Sequence, residues 1–517
     1  MQKVKQETHD ITISKINETF IKVICSDDGI EQDLQERFSF EIPNRKFHPL
    51  VKARRWDGII RLYNKLQKKM YAGLLLKLLQ FASKRKYSIH LDESVQDLIP
   101  NETISMELIH ECVEKWSPRN EKGEELVPYE YQYEALHYML NMNRSIGLLA
   151  TSAGKSLVIA LLLRFYLEVE ELQDRSFIVV VPSIMLVNQL YDDLATYFPD
   201  LDISTLCQKI TGKYEKRIHK PIVISTWQSL KNIDELDPSV IICDEAHTVE
   251  AKVLSNILER IPNCKIRHGL TGTLKDAEES ILSVEGLLGP AKRIVTSKEL
   301  IEEGKATNVK VKIVMLDYSL PTKTMYHDRM KELNKNKKAN GAKRYHEEVE
   351  FINEIPSRRK FIQNMLQGLK GNSIALFDRV EGYGIPLYEE MKNKHENTFI
   401  ISGDVDEGRR DEIKYMLEGL SNGIVYATSN IMSTGVSIKN LHNMVFLGST
   451  KSKIRVLQSI GRLMRLHESK DEAYLYDIVD MLDLNDKENM TMKHIESRLS
   501  HYITAGFEVE YIRLNLA

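Results

Sequence analysis

The chain has 517 residues, 42% hydrophobic and 28% charged, with a formal net charge of −3. This length predicts about three domains, and the near balance of charge excludes a protein that is basic throughout, so any nucleic-acid surface must be local. The 5 cysteines are scattered, which argues against a zinc site or a disulfide framework. The polar N-terminus lacks a signal segment, and the longest apolar run, residues 157–163, is shorter than the ~20 residues of a membrane span. We therefore expect a cytosolic or nuclear protein.

Residues 1–115 predict a small α/β domain with a basic, aromatic stretch at residues 45–69. Strand-like runs precede that stretch, and it is followed by a helix at 72–83. The stretch holds nine Lys or Arg against one acid, Asp57. Cations displace counterions from phosphates and rings stack on bases, so we single out four candidate nucleic-acid ligands: Arg54, Arg55, Trp56 and Arg61. The alternative is a solvated basic face whose aromatic residues pack in the core of this small domain.

The segment 117–125 is polar and charged, and it is typical of a linker. Gln132 then opens a predicted helix, 22 residues before Gly154. Its amide is able to read the adenine edge through paired donor and acceptor bonds. The alternative is a polar residue on the helix surface.

Residues 148–157 predict a strand, a tight loop and a helix, the arrangement that binds phosphate through backbone N–H groups at a helix N-terminus. Within it, Gly154-Lys155-Ser156 matches the end of the G-x-x-x-x-G-K-[ST] pattern, although Leu149 stands where the first glycine is expected. Lys155 would reach the β- and γ-phosphates, and Ser156 would bind Mg²⁺. The alternative is an ordinary helix N-terminus capped by Thr151 or Ser152.

Two series of short apolar runs alternate with helical segments after this loop. Unbroken apolar strands of this kind predict parallel sheets covered on both faces. We therefore predict two α/β domains in tandem, at 116–295 and 296–517. The first series comprises 177–181, 222–224, 240–242 and 268–273. The second comprises 374–377, 399–401, 424–426, 444–447 and 474–478.

Asp244 and Glu245 follow the apolar run 240–242 and lie about 90 residues after Lys155. Polar residues at the carboxyl ends of parallel strands meet at one edge of the sheet, where ligands bind. Asp244 would hold Mg²⁺ and Glu245 would activate the attacking water, which is the chemistry of phosphoryl transfer. The alternative is a pair of surface acids in a turn.

Arg462 and Arg465 are spaced i, i+3 on a predicted helix and would share one face. Guanidinium groups placed there are able to meet a γ-phosphate as an arginine finger does. A lysine-rich segment, 331–344, precedes them; it is either a solvated helix or loop, or a DNA contact.

Taken together, these motifs resemble the superfamily 2 helicases over residues 125–480. The resemblance rests on Tyr131-Gln132, Gly154-Lys155-Ser156, Pro182-Ser183 with Gln189, Thr226-Trp227-Gln228, Asp244-Glu245-Ala246-His247, Thr271-Gly272-Thr273, Thr434-Gly435 and Gln458 to Arg465. Further residues in the N-terminal region, Phe38 to Glu41 and Trp56 to Leu62, extend a closer likeness to the recombination helicases of T-even-type phages. The fold it implies is two tandem RecA-like parallel-sheet domains after a small α/β N-terminal domain.

The resemblance also implies roles for single residues. Those that contact ATP would be Gln132, Thr151, Ser152, Ala153, Gly154, Lys155, Ser156 and Gly435. Those along the nucleic-acid track would be Pro182, Gln189, Thr226, Gln228 and Thr434. Those that couple hydrolysis to movement would be His247, Thr271, Thr273 and Gln458.

The resemblance implies an ATP- and Mg²⁺-dependent DNA helicase acting on forks, displacement loops and Holliday junctions. ATP would bind between the two tandem domains, and hydrolysis would let them part. The expected partner is DNA, with recombination or single-strand-binding proteins as further partners, and the expected form is a monomer away from membranes, in the host cytoplasm if phage-encoded. Two alternatives stay open: an RNA helicase, and an ATP-gated nucleic-acid clamp or strand-annealing protein.

Overall fold

A computed structural model describes residues 9–42, 45–212, 217–246, 251–272, 278–335, 340–403, 405–429, 438–448, 452–484 and 487–516. The chain forms two compact units: the first comprises residues 1–149 and 154–295, and the second comprises residues 150–153 and 296–517. Among the described helices, none has the length and apolar character needed to cross a bilayer.

The N-terminal region is a small α/β fold with its own hydrophobic core. Its main sheet has the strand order β5-β6-β2-β1-β7, and β3 pairs with β4. Ile11, Ile13, Ile21 and Val23 are fully buried in it, since β1 and β2 alternate inward apolar and outward polar residues. The strands are β1 Ile11–Lys15, β2 Phe20–Cys25, β3 Ser39–Glu41, β4 Ile59–Arg61, β5 Tyr63–Asn64, β6 Lys69–Tyr71 and β7 Ile89–Leu91. The helices are α1 Asp28–Arg37, α2 Pro49–Lys52, α3 Leu75–Arg85 and α4 Met106–Trp116.

The rest of the first unit is a seven-stranded parallel sheet, with strand order β10-β11-β9-β12-β13-β8-β14. Every residue of β9 is buried, as expected for a strand covered by helices on both faces. The strands are β8 Arg144–Leu149, β9 Phe177–Val181, β10 Cys207–Ile210, β11 Ile222–Thr226, β12 Val240–Asp244, β13 Ile266–Thr271 and β14 Ala291–Val295. The helices are α5 Glu130–Leu140, α6 Lys155–Leu167, α7 Ile184–Tyr197, α8 Ile203–Leu206, α9 Trp227–Leu230, α10 Ala251–Leu258 and α11 Glu278–Leu288.

The second unit contains another seven-stranded parallel sheet, with strand order β17-β18-β16-β19-β20-β15-β21. The predicted fold class is therefore confirmed. The strands are β15 Asn308–Tyr318, β16 Ser373–Phe377, β17 Thr398–Ile401, β18 Ile424–Thr428, β19 Asn443–Phe446, β20 Glu472–Met481 and β21 Glu508–Leu516. The helices are α12 Ser297–Glu302, α13 Leu320–Lys335, α14 Gly341–Glu354, α15 Pro356–Gly368, α16 Ile385–Lys392, α17 Glu407–Glu418, α18 Lys453–Leu463 and α19 Met490–Thr504.

The N-terminal region is bound to the first parallel sheet through buried polar contacts. The guanidinium group of Arg144, in β8, donates to the carbonyl of Glu18 at 2.6 Å and to its carboxylate at 2.9 Å. Arg267, in β13, is fully buried and donates to the hydroxyl of Thr19 at 2.9 Å. Burial lowers the pKa of Arg144 to about 10. Because a buried cation without its partner costs several kcal/mol, Glu18 joins the two parts of this unit firmly.

Two local predictions differ from the structure. The presumed linker 117–125 is a hydrogen-bonded turn, in which Asn120 N donates to Glu124 O at 2.8 Å and Arg119 N donates to Tyr197 O at 2.9 Å. The helix predicted to carry both Arg462 and Arg465 ends at Leu463.

Candidate active site

The loop between β8 and α6 has the backbone of a phosphate-binding loop. Gly154 directly precedes α6 and has φ +72°, in the left-handed region that favours glycine. Lys155 and Ser156 are the first two residues of α6, so they lie at its positive end. Ala153 is buried, and its N–H donates to the carbonyl of Ala150 at 3.1 Å. These features suit a bound phosphate.

Gln132 supports this loop from α5. It is buried, and its Nε2 donates to the carbonyl of Gly154 at 3.4 Å, while its Oε1 accepts from Tyr129 N at 2.9 Å. A Cβ added at Gly154 would clash with Nε2 of Gln132. The amide that the sequence assigns to adenine therefore also fixes the shape of the phosphate loop.

Lys155 and Glu245 form an ion pair at the carboxyl edge of the first sheet. Their side chains are only 12% and 15% exposed, so solvent screens the pair weakly. Thr271, at the end of β13, donates its hydroxyl to Glu245 Oε2 at 3.4 Å. Glu245 has φ +48°, an uncommon conformation for a residue with a side chain, of a kind that clusters at functional sites.

Asp244 ends β12, beside Glu245. Burial raises the pKa of Asp244 to about 6, and the negative charge of Glu245 adds to the rise, whereas Lys155 opposes it. The N–H of Glu245 donates to Asp244 Oδ1 at 2.9 Å. A carboxylate that is costly to ionise gains from a nearby cation, which lowers its pKa.

Ser156 lies within hydrogen-bonding distance of a residue that the sequence analysis missed. Its Oγ is 3.0 Å from the hydroxyl of Tyr197, near the end of α7. No spacing rule connects these two residues, so only the packing of α7 reveals the contact. Oxygen atoms of Ser156 and Asp244 are the ligand type that Mg²⁺ prefers. The described residues include no cluster of three or more His, Cys, Asp or Glu placed to hold a metal.

The predicted nucleic-acid residues of the first sheet follow its strands. Pro182 comes directly after β9, and Gln189 lies on α7, which begins two residues later. Thr226 is buried, and its hydroxyl donates to Ser229 Oγ at 3.1 Å, whereas Gln228 is exposed. Gln228 is therefore available to a ligand, and Thr226 stabilises the turn into α9.

The basic residues of the N-terminal region lie around α2. Arg54 and Arg55 are exposed, and Arg61 pairs with Asp57 at 2.5 Å. Trp56 is half-buried: its Nε1 donates to Ile59 O at 3.2 Å and its ring contacts His48 edge-on. Phe47, by contrast, is 72% exposed.

The second unit contains the two predicted arginines. Arg462 is buried on α18, beside the half-buried Gln458, but Arg465 lies beyond the end of this helix. The N–H and hydroxyl of Thr307 donate to the carbonyls of Met464 and Arg465, at 2.8 and 3.0 Å. These bonds hold the chain in a non-helical path, so the predicted shared face is wrong.

Loop residues 150–153 belong to this second unit. In this loop, Ser152 Oγ donates to the carbonyl of Gly461, and a Cβ at Gly461 would overlap the side chain of Thr151.

Four predicted site residues lie outside the described residues: His247, Thr273, Thr434 and Gly435.

Comparison with known proteins agrees with this geometry. Residues 10–92 match the family model "DNA helicase UvsW, N-terminal", and residues 125–276 match "Type III restriction enzyme, res subunit". The ATP-dependent DNA helicase uvsW of Enterobacteria phage T4 is 30% identical over 512 residues, covering 96% of each chain. The chain belongs to the UvsW helicase family.

Solved structures lead to the same family. The crystal structure of T4 UvsW has a TM-score of 0.50 and 27% identity, covering 98% of this chain and 100% of the other. The Type ISP restriction-modification enzyme LlaBIII has a TM-score of 0.56 at 15% identity over 78% of this chain and 32% of its own, a likeness of fold alone. As a UvsW-family protein, the chain is a superfamily 2 helicase that uses ATP and binds nucleic acid.

Proposed function

We propose that this helicase is an ATP-driven DNA translocase that unwinds or remodels branched DNA, namely forks, displacement loops and Holliday junctions, in recombination, repair and replication restart. One observation carries the proposal: the likeness to the UvsW family extends beyond the motor into residues 10–92. That region contains the exposed cations Arg54 and Arg55. Cations of this kind bind phosphodiester backbones irrespective of base sequence, as a protein that acts on branch points requires.

The roles proposed for the site residues follow from their chemistry. Lys155 and the N–H groups at the start of α6 bind the β- and γ-phosphates. Glu245 orients the attacking water and accepts its proton. Asp244 and Ser156 would hold Mg²⁺, which neutralises phosphate charge. Arg462 and Arg465 add positive charge at the γ-phosphate.

The Lys155–Glu245 pair links ATP binding to catalysis. The two side chains form an ion pair with each other. When Lys155 binds phosphate, the phosphate takes the place of the Glu245 carboxylate as the anion that Lys155 contacts. Glu245 then keeps its contact with Thr271 and is free to accept a proton. Thr271 is therefore proposed to report the state of the catalytic carboxylate to the rest of the motor, with Thr273, His247 and Gln458 as further coupling residues.

The test is ATP turnover measured with fork DNA, single-stranded DNA and RNA at matched nucleotide concentration. We expect the highest stimulation with fork DNA. Stimulation by RNA equal to that by fork DNA would favour an RNA helicase. Turnover with DNA no faster than that of Lys155→Ala would favour the clamp or strand-annealing protein.

Replacing Arg54, Arg55 and Arg61 together with alanine is expected to weaken DNA binding and flatten its salt dependence. Each phosphate contact contributes about 0.9 to the slope of log K against log salt for duplex DNA, so the loss of three contacts lowers the slope by up to ~3. Fluorescence anisotropy with labelled fork DNA across a salt series measures it.

A matched control lies at the end of α3, in Lys84, Arg85 and Lys86. Each set holds three cations. In each, one cation has a positive φ, namely Arg54 in the first set and Lys86 in the control. In each, one cation also pairs with an aspartate, namely Arg61 in the first set and Arg85 in the control. The control set replaced by alanine should keep the slope of the unaltered protein. Equal slopes for the two variants would favour the alternative interpretation, in which the basic residues around α2 form a solvated face that does not contact DNA.

A further inference from the structure

Lys470 lies in the turn between α18 and β20, and it is buried although it carries a charge. The residue is only 8% exposed. Its Nζ donates to the carbonyl of Leu463, the last residue of α18, and to the carbonyl of Leu441, two residues before β19, both at 2.9 Å. The ammonium group of Lys470 therefore joins the end of α18 to the segment that leads into β19.

The two carbonyls compensate the ammonium group for the loss of water. Burial lowers the pKa of Lys470 to about 8, the positive charge of Arg465 adds to the fall, and the negative charge of Glu418 opposes it. The group therefore keeps its charge at neutral pH. The last carbonyls of a helix have no partner within the helix and form the negative end of its dipole. A cation at this position is stabilised, and it holds the helix end in return.

Hydrogen bonds also fix the path of the chain from the end of α18 to Arg465. Three successive carbonyls, of Leu463, Met464 and Arg465, each accept a bond. The first accepts from Lys470, and the other two accept from the N–H and the hydroxyl of Thr307, at 2.8 and 3.0 Å. The half-buried Arg465 thus leaves the helix along a path that Lys470 and Thr307 set together.

The last turn of α18 also contacts the phosphate-binding loop, through loop residues 150–153 that belong to the same unit. Ser152 donates its hydroxyl to the carbonyl of Gly461, two residues before Leu463. A Cβ at Gly461 would overlap the side chain of Thr151, so the helix and the loop are in close contact. A shift of the helix end would therefore change the surroundings of the bound phosphates.

We propose that Lys470 is a positioning residue for ATP hydrolysis, which holds the end of α18 so that Arg465 is presented to the γ-phosphate. The inference rests on the proposed function for the role of Arg465. A guanidinium group stabilises the charge of the transition state only when it is held in place beforehand. Loss of the ammonium group that fixes the helix end would therefore slow hydrolysis, although Lys470 itself contacts no substrate.

The experiment is a double-mutant cycle with Lys470→Met and Arg465→Ala, measured as DNA-stimulated ATP turnover. Methionine keeps most of the length of the side chain but removes its charge and its donors. We expect Lys470→Met to lower kcat by about 10- to 100-fold, the scale of a misplaced catalytic group, while binding of a fluorescent ATP analogue is retained. In the Arg465→Ala background the same replacement should have little further effect, because residues that act through one another are not additive. Phosphate release in single turnovers gives the rates of the slow variants.

Lys323→Met is the matched control. Lys323, on α13 of the same unit, is also shielded from solvent, with a side chain 13% exposed, and it pairs with Asp317 at 2.7 Å and with Asp483 at 3.3 Å. Its replacement removes a comparable cation away from α18. Thermal melting should show destabilisation in both lysine variants, whereas turnover by the control should stay close to that of the unaltered protein.

Three results would overturn the inference: unchanged turnover by Lys470→Met, equal losses from Lys470→Met in both backgrounds, or a loss of the same size in Lys323→Met. If Lys470→Met does not fold at the assay temperature, Lys470→Gln takes its place in the cycle, since glutamine keeps an N–H donor without the charge. Turnover by Arg465→Ala equal to that of the unaltered protein would overturn the proposed role of Arg465, on which the inference depends.

Discussion

Glu245→Gln is expected to slow ATP turnover by about 10²- to 10⁴-fold, the usual contribution of a positioned proton acceptor, while ATP binding is retained. The amide keeps the size of the side chain and its contact with Thr271 but cannot accept the proton of the attacking water. It also removes the negative charge that Lys155 now pairs with, so the lysine stays available to phosphate. Phosphate release under single-turnover conditions measures the rate, and a fluorescent ATP analogue measures binding.

Glu285→Gln is the matched control for this change. Glu285 is another buried carboxylate of the first unit, paired with Lys77 at 3.0 Å, and it lies on α11. Its replacement removes a similar ion pair from outside the site, so turnover should stay close to that of the unaltered protein. Turnover by Glu245→Gln within a few-fold of this control would remove Glu245 from the proton-accepting role.

Gly154→Ala is expected to weaken ATP binding by about 10- to 100-fold. A residue with a Cβ in the left-handed region costs ~1 to 2 kcal/mol, and each 1.4 kcal/mol is about tenfold in affinity. The new methyl group would also clash with Nε2 of Gln132, which holds the loop at its Gly154 carbonyl. Titration with the same fluorescent nucleotide gives the dissociation constant.

Gly123→Ala is the control for a left-handed glycine outside the site. Gly123 has φ +77°, and a Cβ there would meet nothing within 4 Å, so it shares the backbone strain of Gly154 without the clash. We expect ATP affinity to be unchanged in this control. Gln132→Ala alone is the reference for the double variant, because Gln132 is itself a predicted ATP contact. The steric explanation requires that Gln132→Ala and Gly154→Ala together cost less affinity than the sum of their separate effects, and additive effects would contradict it.

The sequence predicts the central strands of both parallel sheets well because burial on both faces leaves a direct signal. Every residue of β9 is buried, so an unbroken apolar run marks it. The sequence did not predict strands β15 and β21, because neither strand is an unbroken apolar run. β15 alternates buried and half-buried residues, including Lys310 and Lys312, and β21 lies at the edge of its sheet with charged residues along it. Such patterns resemble surface segments until the neighbouring strands are known.

In the candidate site too, local motifs were predictable from the sequence, whereas contacts between distant segments were not. Lys155 and Glu245 were found from short motifs, because phosphate chemistry restricts residue type and spacing. The contact of Ser156 with Tyr197 and the position of Arg465 depend on packing between distant segments. Thr307 lies far from Arg465 in sequence and donates its hydroxyl to the carbonyl of Arg465, beyond the end of the helix. No local pattern near Arg465 predicts this contact.

The salt bridge between Glu18 and Arg144 means that the first hundred residues are not a detachable module. Cutting them away would remove the carbonyl and the carboxylate of Glu18 that accept from the buried guanidinium group of Arg144. Arg267 would lose the hydroxyl of Thr19 but keep its bonds to the carbonyls of Leu258, Ile261 and Cys264. A transplant of this region onto another helicase would need a matching pair of arginines to receive it.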